Sequence, residues 1–198
     1  MTDAVATRRP VPLAIVLIVT GVIGWYAAFS LVLDKLAVLI NPQTDLDCNL
    51  SVIVQCGVNL GSWQGAILGF PNPLLGVAGF VAPIAVGVAI LAGATFARWF
   101  WIAFTVGVFG AFAFCLWLAY QSIFNLGTLC PWCMLVWAVT IPMFWTLVLH
   151  IARDGILGNR MQRLGSRLYG WVPAITVASY LVIAVTAQLR LDVLSTLA

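Results

Sequence analysis

Five stretches of about 20 apolar residues, each free of Asp, Glu, Lys and Arg, constrain this chain more than any other feature of its sequence. They run from about Pro12 to Leu33, Leu74 to Ala97, Trp99 to Tyr120, Cys130 to Ile151 and Gly170 to Leu189. His150, near the end of the fourth, is their one ionisable side chain besides Cys and Tyr. A backbone in hydrocarbon must satisfy its own hydrogen bonds, which leaves helices or a closed barrel, and the alternating strands of a barrel are absent. The expectation is an all-α, polytopic membrane protein of five spanning helices embedded in the lipid bilayer. Composition agrees: 63% of the residues are hydrophobic and 8% charged, which excludes a disordered chain and an ordinary soluble domain. Nine scattered cations cannot form the dense basic surface of a nucleic-acid binder, so nucleic acid is not an expected partner.

The first stretch has a basic flank, Arg8 and Arg9, and small residues at Ala28 and Ser30, as a secretory signal would. Its apolar run exceeds the roughly 7 to 15 residues of a signal core, so it is read as a retained helix. Placing Arg8 and Arg9 in the cytoplasm puts Arg98 and the cluster Arg153, Arg160, Arg163 and Arg167 there too. That leaves seven cations inside against Lys35 and Arg190 outside, the distribution the positive-inside rule requires. The expected location is the cell inner or plasma membrane, with a cytoplasmic N-terminus. The loop Asp34–Pro73, the turn Asn125–Leu129 and the C-terminus then face the periplasmic or extracytoplasmic side. No internal repeat is visible, and residues 1–198 are read as one membrane domain.

The loop of about forty residues is too short to be a domain and longer than a connection needs, the usual mark of a functional loop. Leu60, Trp63, Ile67 and Phe70 recur near helical spacing in it, predicting a short amphipathic helix on the bilayer surface or over the bundle mouth. Pro71, Asn72 and Pro73 end that helix.

Four of the five cysteines fall on the outer face. Cys130, Pro131, Trp132 and Cys133 form a C-x-x-C at the start of the fourth span. Pro131 suits a first helical turn, and the helix dipole favours a thiolate on Cys130, making it the expected reactive sulfur. Cys133 lies one turn deeper, within reach of a lipid-soluble electron carrier. Cys48 and Cys56 lie in the outer loop, where disulfides persist. Taken separately, the loop pair reads as a structural staple and the C-x-x-C as two small buried hydrophobes. On one face together, they suggest two dithiols in series, exchanging electrons through a mixed disulfide. A zinc site built from all four is disfavoured by the C-x7-C spacing, and no metal is expected. Cys115, inside the third span near Phe112, Phe114 and Trp117, is read as packing, with the border of a cofactor pocket as its other role.

Cys48 and Cys56, then Ser62 and Trp63, then Pro71 and Asn72, then Cys130 to Cys133 opening a later helix, resemble the vitamin K epoxide reductase family over roughly Pro12 to Ile151. The resemblance implies a four-helix bundle over about residues 12–151, with the helix at about 170–190 as an addition, and a quinone held near the C-x-x-C. It implies a thiol-disulfide oxidoreductase that generates disulfides by oxidising a thioredoxin-like (DsbA-like) partner and reducing a quinone of menaquinone, ubiquinone or vitamin K type. Carried onto this sequence, Cys48 meets the partner, Cys56 relays electrons to Cys130, and Cys133 reacts with the quinone. Asn72 matches the asparagine that hydrogen-bonds a quinone carbonyl, and Ser62 the serine of the loop motif. Asn72 read alone is an ordinary turn starter before Pro73, and Ser62 alone is a polar residue of the amphipathic turn. Trp137, the matching cofactor-site residue, stands where animal members carry a tyrosine; it has no hydroxyl, so the resemblance leaves the second quinone hydrogen bond and epoxide chemistry open. Some bacterial members have a fused thioredoxin-like domain after a fifth helix; here the sequence stops at Ala198, so the expected partner is a separate protein.

Other readings are a reductase that uses thiols mainly to regenerate hydroquinone from quinone or vitamin K epoxide, and a structural bundle with staple disulfides. The other bacterial disulfide-forming quinone reductase places its C-x-x-C in the first outer loop, unlike this chain. Trp25, Trp63, Trp117 and Trp132 could line a ring-shaped cofactor site, and Trp63 with Phe70 could cap it. Asn49 to Ser51 form a glycosylation sequon, expected to be unused because a glycan there would crowd the partner site.

Overall fold

A computed structural model describes residues 10–194. Arg8 and Arg9, which anchor the orientation argument, and the last four residues lie outside the described residues. Among the described residues, five helical segments are long and apolar enough to cross a membrane. The all-α membrane class therefore holds, and strand-like pairing among the described residues is confined to one isolated bridge between Val54 and Leu129.

The first helix, α1 (Val11–Ile40), has its buried residues on one stripe from Leu13 through Leu17, Gly21, Gly24 and Ala28 to Leu31. At about 1.5 Å per residue its 30 residues span roughly 45 Å, well beyond a hydrocarbon core. Its last turns, with Asp34 and Lys35, thus extend past the apolar run, where the sequence predicts loop. Charges end a hydrophobic stretch but do not end a helix. The connection that follows is correspondingly shorter, Asn41 to Asn72.

Small residues let α1 lie close against α3 (Pro73–Leu91). Gly24 faces the Phe80 ring, Gly76 faces Ala28, and Gly87 faces Ala14 and Ile18. In lipid, where apolar surface gains nothing by leaving the solvent, such close backbone approach is a main source of helix association. α1 also packs on α5 (Pro131–Arg153), and α5 on α4 (Arg98–Tyr120), whereas α3 and α4 share no extensive contact. A gap is left between them. α4 continues as one π-helical segment, Gln121–Leu126, and stops at Gly127, whose φ of 68° suits a residue without Cβ.

The predicted loop helix is two pieces, α2 (Gly57–Gly61) and a 3-10 turn (Trp63–Ala66), separated by Ser62 in extended conformation. Leu60 is buried while Trp63, Ile67 and Phe70 are exposed, so the four do not form one apolar face. The Ser62 hydroxyl accepts from the Gly65 amide and donates to the Asn59 carbonyl, and this local bonding breaks the helix.

Past α5, a short helix α6 (Asn159–Leu168) carries Arg160, Arg163 and Arg167 and leads through a 3-10 turn to α7 (Val172–Leu191). α7 packs against α5. Pro142, inside α5, has no amide hydrogen for the carbonyl of Ala138 four residues earlier, and the Tyr180 hydroxyl of α7 donates to that carbonyl. Trp145 Nε1 donates to Ser179 Oγ at 3.3 Å one turn away.

Candidate active site

Backbone pairing brings the two cysteine pairs together. The loop segment Ile53–Gln55 lies parallel to Leu129: the Leu129 amide donates to the Ile53 carbonyl at 2.7 Å, and the Gln55 amide to the Leu129 carbonyl at 3.0 Å. Cys56 and Cys130 are the next residues on each side. Their sulfurs stand 3.2 Å apart and both residues are fully buried. Cys56 is joined to Cys48 in a disulfide, while Cys130 and Cys133 are free. Leu31, Leu46 and Leu60 close around the three sulfurs. Asn49 accepts from the Cys56 amide at 3.1 Å, and its Nδ2 faces Asp45, so this sequon side chain is engaged in holding the loop. Lys35 Nζ donates to the Leu60 carbonyl at 2.7 Å, tying α2 to the end of α1.

Cys130 caps α5. Its sulfur accepts from the Cys133 amide at 3.4 Å, as a helix-start thiolate would. The Cys133 thiol, and then the amides of Cys133 and Trp132, hold the Cys130 thiol below its ordinary range against the opposite pull of burial and of the Asp34 charge. Cys133, one turn in, reaches a different environment: it lines a cavity of about 640 Å³ in the gap between α3 and α4.

Most of that cavity is apolar, walled by Phe80 and Pro83 of α3, Phe104 and Phe114 of α4, and Val136 and Met143 of α5. Ser62, Asn72 and Trp137, the other sequence candidates, line it as well. Asn72 Nδ2 donates to the Gln64 carbonyl at 2.6 Å and Asn72 Oδ1 accepts from the Ile67 amide at 3.2 Å, so its amide pins the loop to the start of α3. Trp137 is buried one turn beyond Cys133 and presents an aromatic wall there. Cys115 faces the cavity too, 3.9 Å from the Thr140 hydroxyl. Trp25, Trp63, Trp117 and Trp132 do not line it; Trp63 packs edge-on against Trp117, and Trp132 against Tyr26. The loop side is closed by Asn59, Leu60, Gln64 and Gly65 instead of a Trp63 and Phe70 lid.

The sequence pattern of the vitamin K epoxide reductase family matches residues 15–148, most of the chain. The chain belongs to that family. No curated protein matches it. Proteins of the family are thiol-disulfide oxidoreductases that act with quinones, and membership makes this chain a multi-pass membrane oxidoreductase of the vitamin K epoxide reductase type. The cavity fits such a ring: its walls are apolar, and two polar atoms of its loop side, Asn59 Nδ2 and Gln64 Oε1, are buried without a hydrogen-bond partner.

Several residues of the site escape a reading by motif. Gln121 Oε1 accepts from Asn125 at 2.5 Å and from the buried Gln64 at 3.4 Å, which orients its amide NH2 away from them. Gln121, a polar residue directly after the apolar stretch Trp99 to Tyr120, was the available signal. Ser122 donates to the Thr128 carbonyl, closing the π-helical end that brings Gln121 to the cavity. Asp34, placed outside the helices by sequence, sits 3.4 Å from the Cys48 sulfur.

Proposed function

We propose that the protein oxidises the dithiol of a thioredoxin-like partner on the extracytoplasmic side of the membrane and passes the electrons to quinone, the whole chain acting as one unit. The 3.2 Å approach of Cys56 and Cys130, with Cys133 behind them on the cavity wall, carries this reading. A partner thiolate attacks Cys48, forming a mixed disulfide and releasing Cys56 as thiolate. The second partner thiol resolves that bond and leaves as part of the partner's own disulfide. Cys56 then attacks Cys130 of an oxidised Cys130–Cys133 pair, and Cys133 leaves as thiolate into the cavity wall. Cys48 closes the loop disulfide again by attacking Cys56, which frees Cys130.

A quinone bound there supplies the two-electron acceptor that lets Cys130 and Cys133 rejoin. Asn72, Asn59 and Gln121 offer amide hydrogens to its oxygens, Ser62 lines the site with its hydroxyl proton on the Asn59 carbonyl, Trp137 gives a flat apolar wall, and the packed loop keeps water from Cys133. The cation distribution supports the orientation, with the cysteine end away from the cytoplasm.

Turnover tests this. Purified protein given a reduced thioredoxin-like substrate and a menaquinone or ubiquinone analogue should reduce the quinone, and Cys130→Ala should not. Normal turnover by Cys130→Ala would remove the proposed path.

A further inference from the structure

The sulfur of Cys48 has a neighbour that the exchange sequence above does not use. Asp34 Oδ2 lies 3.4 Å from Cys48 Sγ, and its carboxylate and both loop sulfurs fall within 4.8 Å of one another. A disulfide sulfur has no proton to donate, so in the oxidised loop this contact is not a hydrogen bond. It becomes meaningful when the disulfide opens. The placement is well held: α1 carries Asp34 on a regular turn, and the adjacent Lys35 anchors that turn to Leu60 with its ammonium directed at a backbone carbonyl. The other charged or titratable groups nearby are Asp47, exposed in the loop, and the thiols of Cys56 and Cys130. None of these offsets a negative charge at Cys48. Asp34 is itself half-exposed near the end of α1, and burial, then the neighbouring Asp47, raise its carboxyl above the ordinary range.

We propose that Asp34 is a catalytic residue of the loop dithiol, whose carboxylate keeps negative charge off Cys48 and so leaves Cys56 to carry the thiolate that attacks Cys130. This inference rests on the exchange sequence proposed above and deepens it. When a partner thiolate bonds to Cys48, the Cys48–Cys56 bond breaks and the electron pair leaves on Cys56, the loop sulfur without the 3.4 Å contact to the carboxylate. When the second partner thiol forms the partner disulfide, the electron pair left on Cys48 takes the proton that this thiol gave up, and the new Cys48 thiol donates to Asp34. Two electrons and two protons have left the partner, and of the two loop sulfurs the one beside Cys130 is the nucleophile. The same carboxylate slows exchange at the Cys48–Cys56 bond in both directions, because Cys48 must lose its proton to reclose the loop and must leave as a thiolate when the loop is opened from the Cys130 side. Cys130 attacking Cys56 of the intact disulfide has to expel Cys48 as a thiolate against Asp34, and a poorer leaving group slows exchange.

Two measurements test this without partner or quinone. In a variant with Cys56, Cys130 and Cys133 replaced by Ser, the rate of Cys48 alkylation by iodoacetamide is followed against pH. Adding Asp34→Asn should lower the midpoint of that profile by about one pH unit, while Asp34→Glu should keep it. In a Cys133→Ala protein with an intact Cys48–Cys56 disulfide, Asp34→Asn should form the Cys56–Cys130 bridge several-fold faster. A merely structural Asp34 would change the plateau of alkylation and leave the midpoint in place, and that result overturns the proposal. Quinone turnover by the wild type is scored separately. Turnover with an unmoved midpoint removes Asp34 alone, and a moved midpoint without turnover removes the electron path and leaves the Asp34 chemistry standing.

Discussion

At the scale of residues, two sulfurs of the C-x-x-C face different surroundings although they are three positions apart. Cys130 meets amides and a neighbouring thiol, and Cys133 meets the cavity. Because the Cys130 thiol is held below its ordinary range, its thiolate exists at lower pH than that of an unperturbed cysteine, and the effect fades only as pH falls through the lowered value. With both dithiols reduced, alkylation of Cys130 followed by peptide mass spectrometry should have its pH midpoint below the ordinary cysteine range. Cys133→Ala removes the largest cause of the lowering and should move the midpoint up. The types and order of these residues were readable in the sequence, because a helix-start C-x-x-C on the same face as a second cysteine pair points to thiol exchange. The partner of Asn72 was not: its amide bonds Gln64 and Ile67, and hydrogen-bond partners across a folded loop leave no periodic trace. Asp34 was hidden for the same reason, fourteen positions from the sulfur it touches.

At the scale of elements, apolar length located all five spans because the bilayer fixes how much helix must be apolar. It could not locate helix ends outside the hydrocarbon, so α1 runs on to Ile40 and α4 on through a π-helical segment to Leu126. The loop helix failed for a local reason, the capping bonds of Ser62. The fifth span, whose sequence suggests no task, has one in Tyr180, which supplies the hydrogen bond that Pro142 denies to Ala138. Tyr180→Phe should therefore cost about 1 kcal/mol in unfolding measurements while the cysteine chemistry persists. Gly107 of α4 lines the cavity with open space where a side chain would project. Gly107→Leu should fold normally and raise the KM for quinone several-fold, with Cys48 and Cys56 still reducible by a thiol partner. An unchanged KM would place the quinone elsewhere.

At the scale of the whole molecule, the bundle is an apolar frame that sets the loop dithiol beside the C-x-x-C, with Cys133 on the wall of an apolar cavity. α1 and α5 hold the sulfurs, the Ile53–Leu129 pairing sets Cys56 on Cys130, and the separation of α3 from α4 leaves the cavity. The orientation proposal predicts that, in intact spheroplasts, a membrane-impermeant maleimide labels reduced Cys48 in a variant lacking the other loop and helix-start cysteines. Labelling only after lysis would reverse the topology. The account as a whole depends on electrons crossing from Cys56 to Cys130, and disulfide mapping of a Cys133→Ala protein after incubation with a reduced thioredoxin-like substrate and oxidant tests that step most directly. The account predicts a Cys56–Cys130 bridge as the accumulated species; a Cys48–Cys130 bridge, or none between the two pairs, would contradict it.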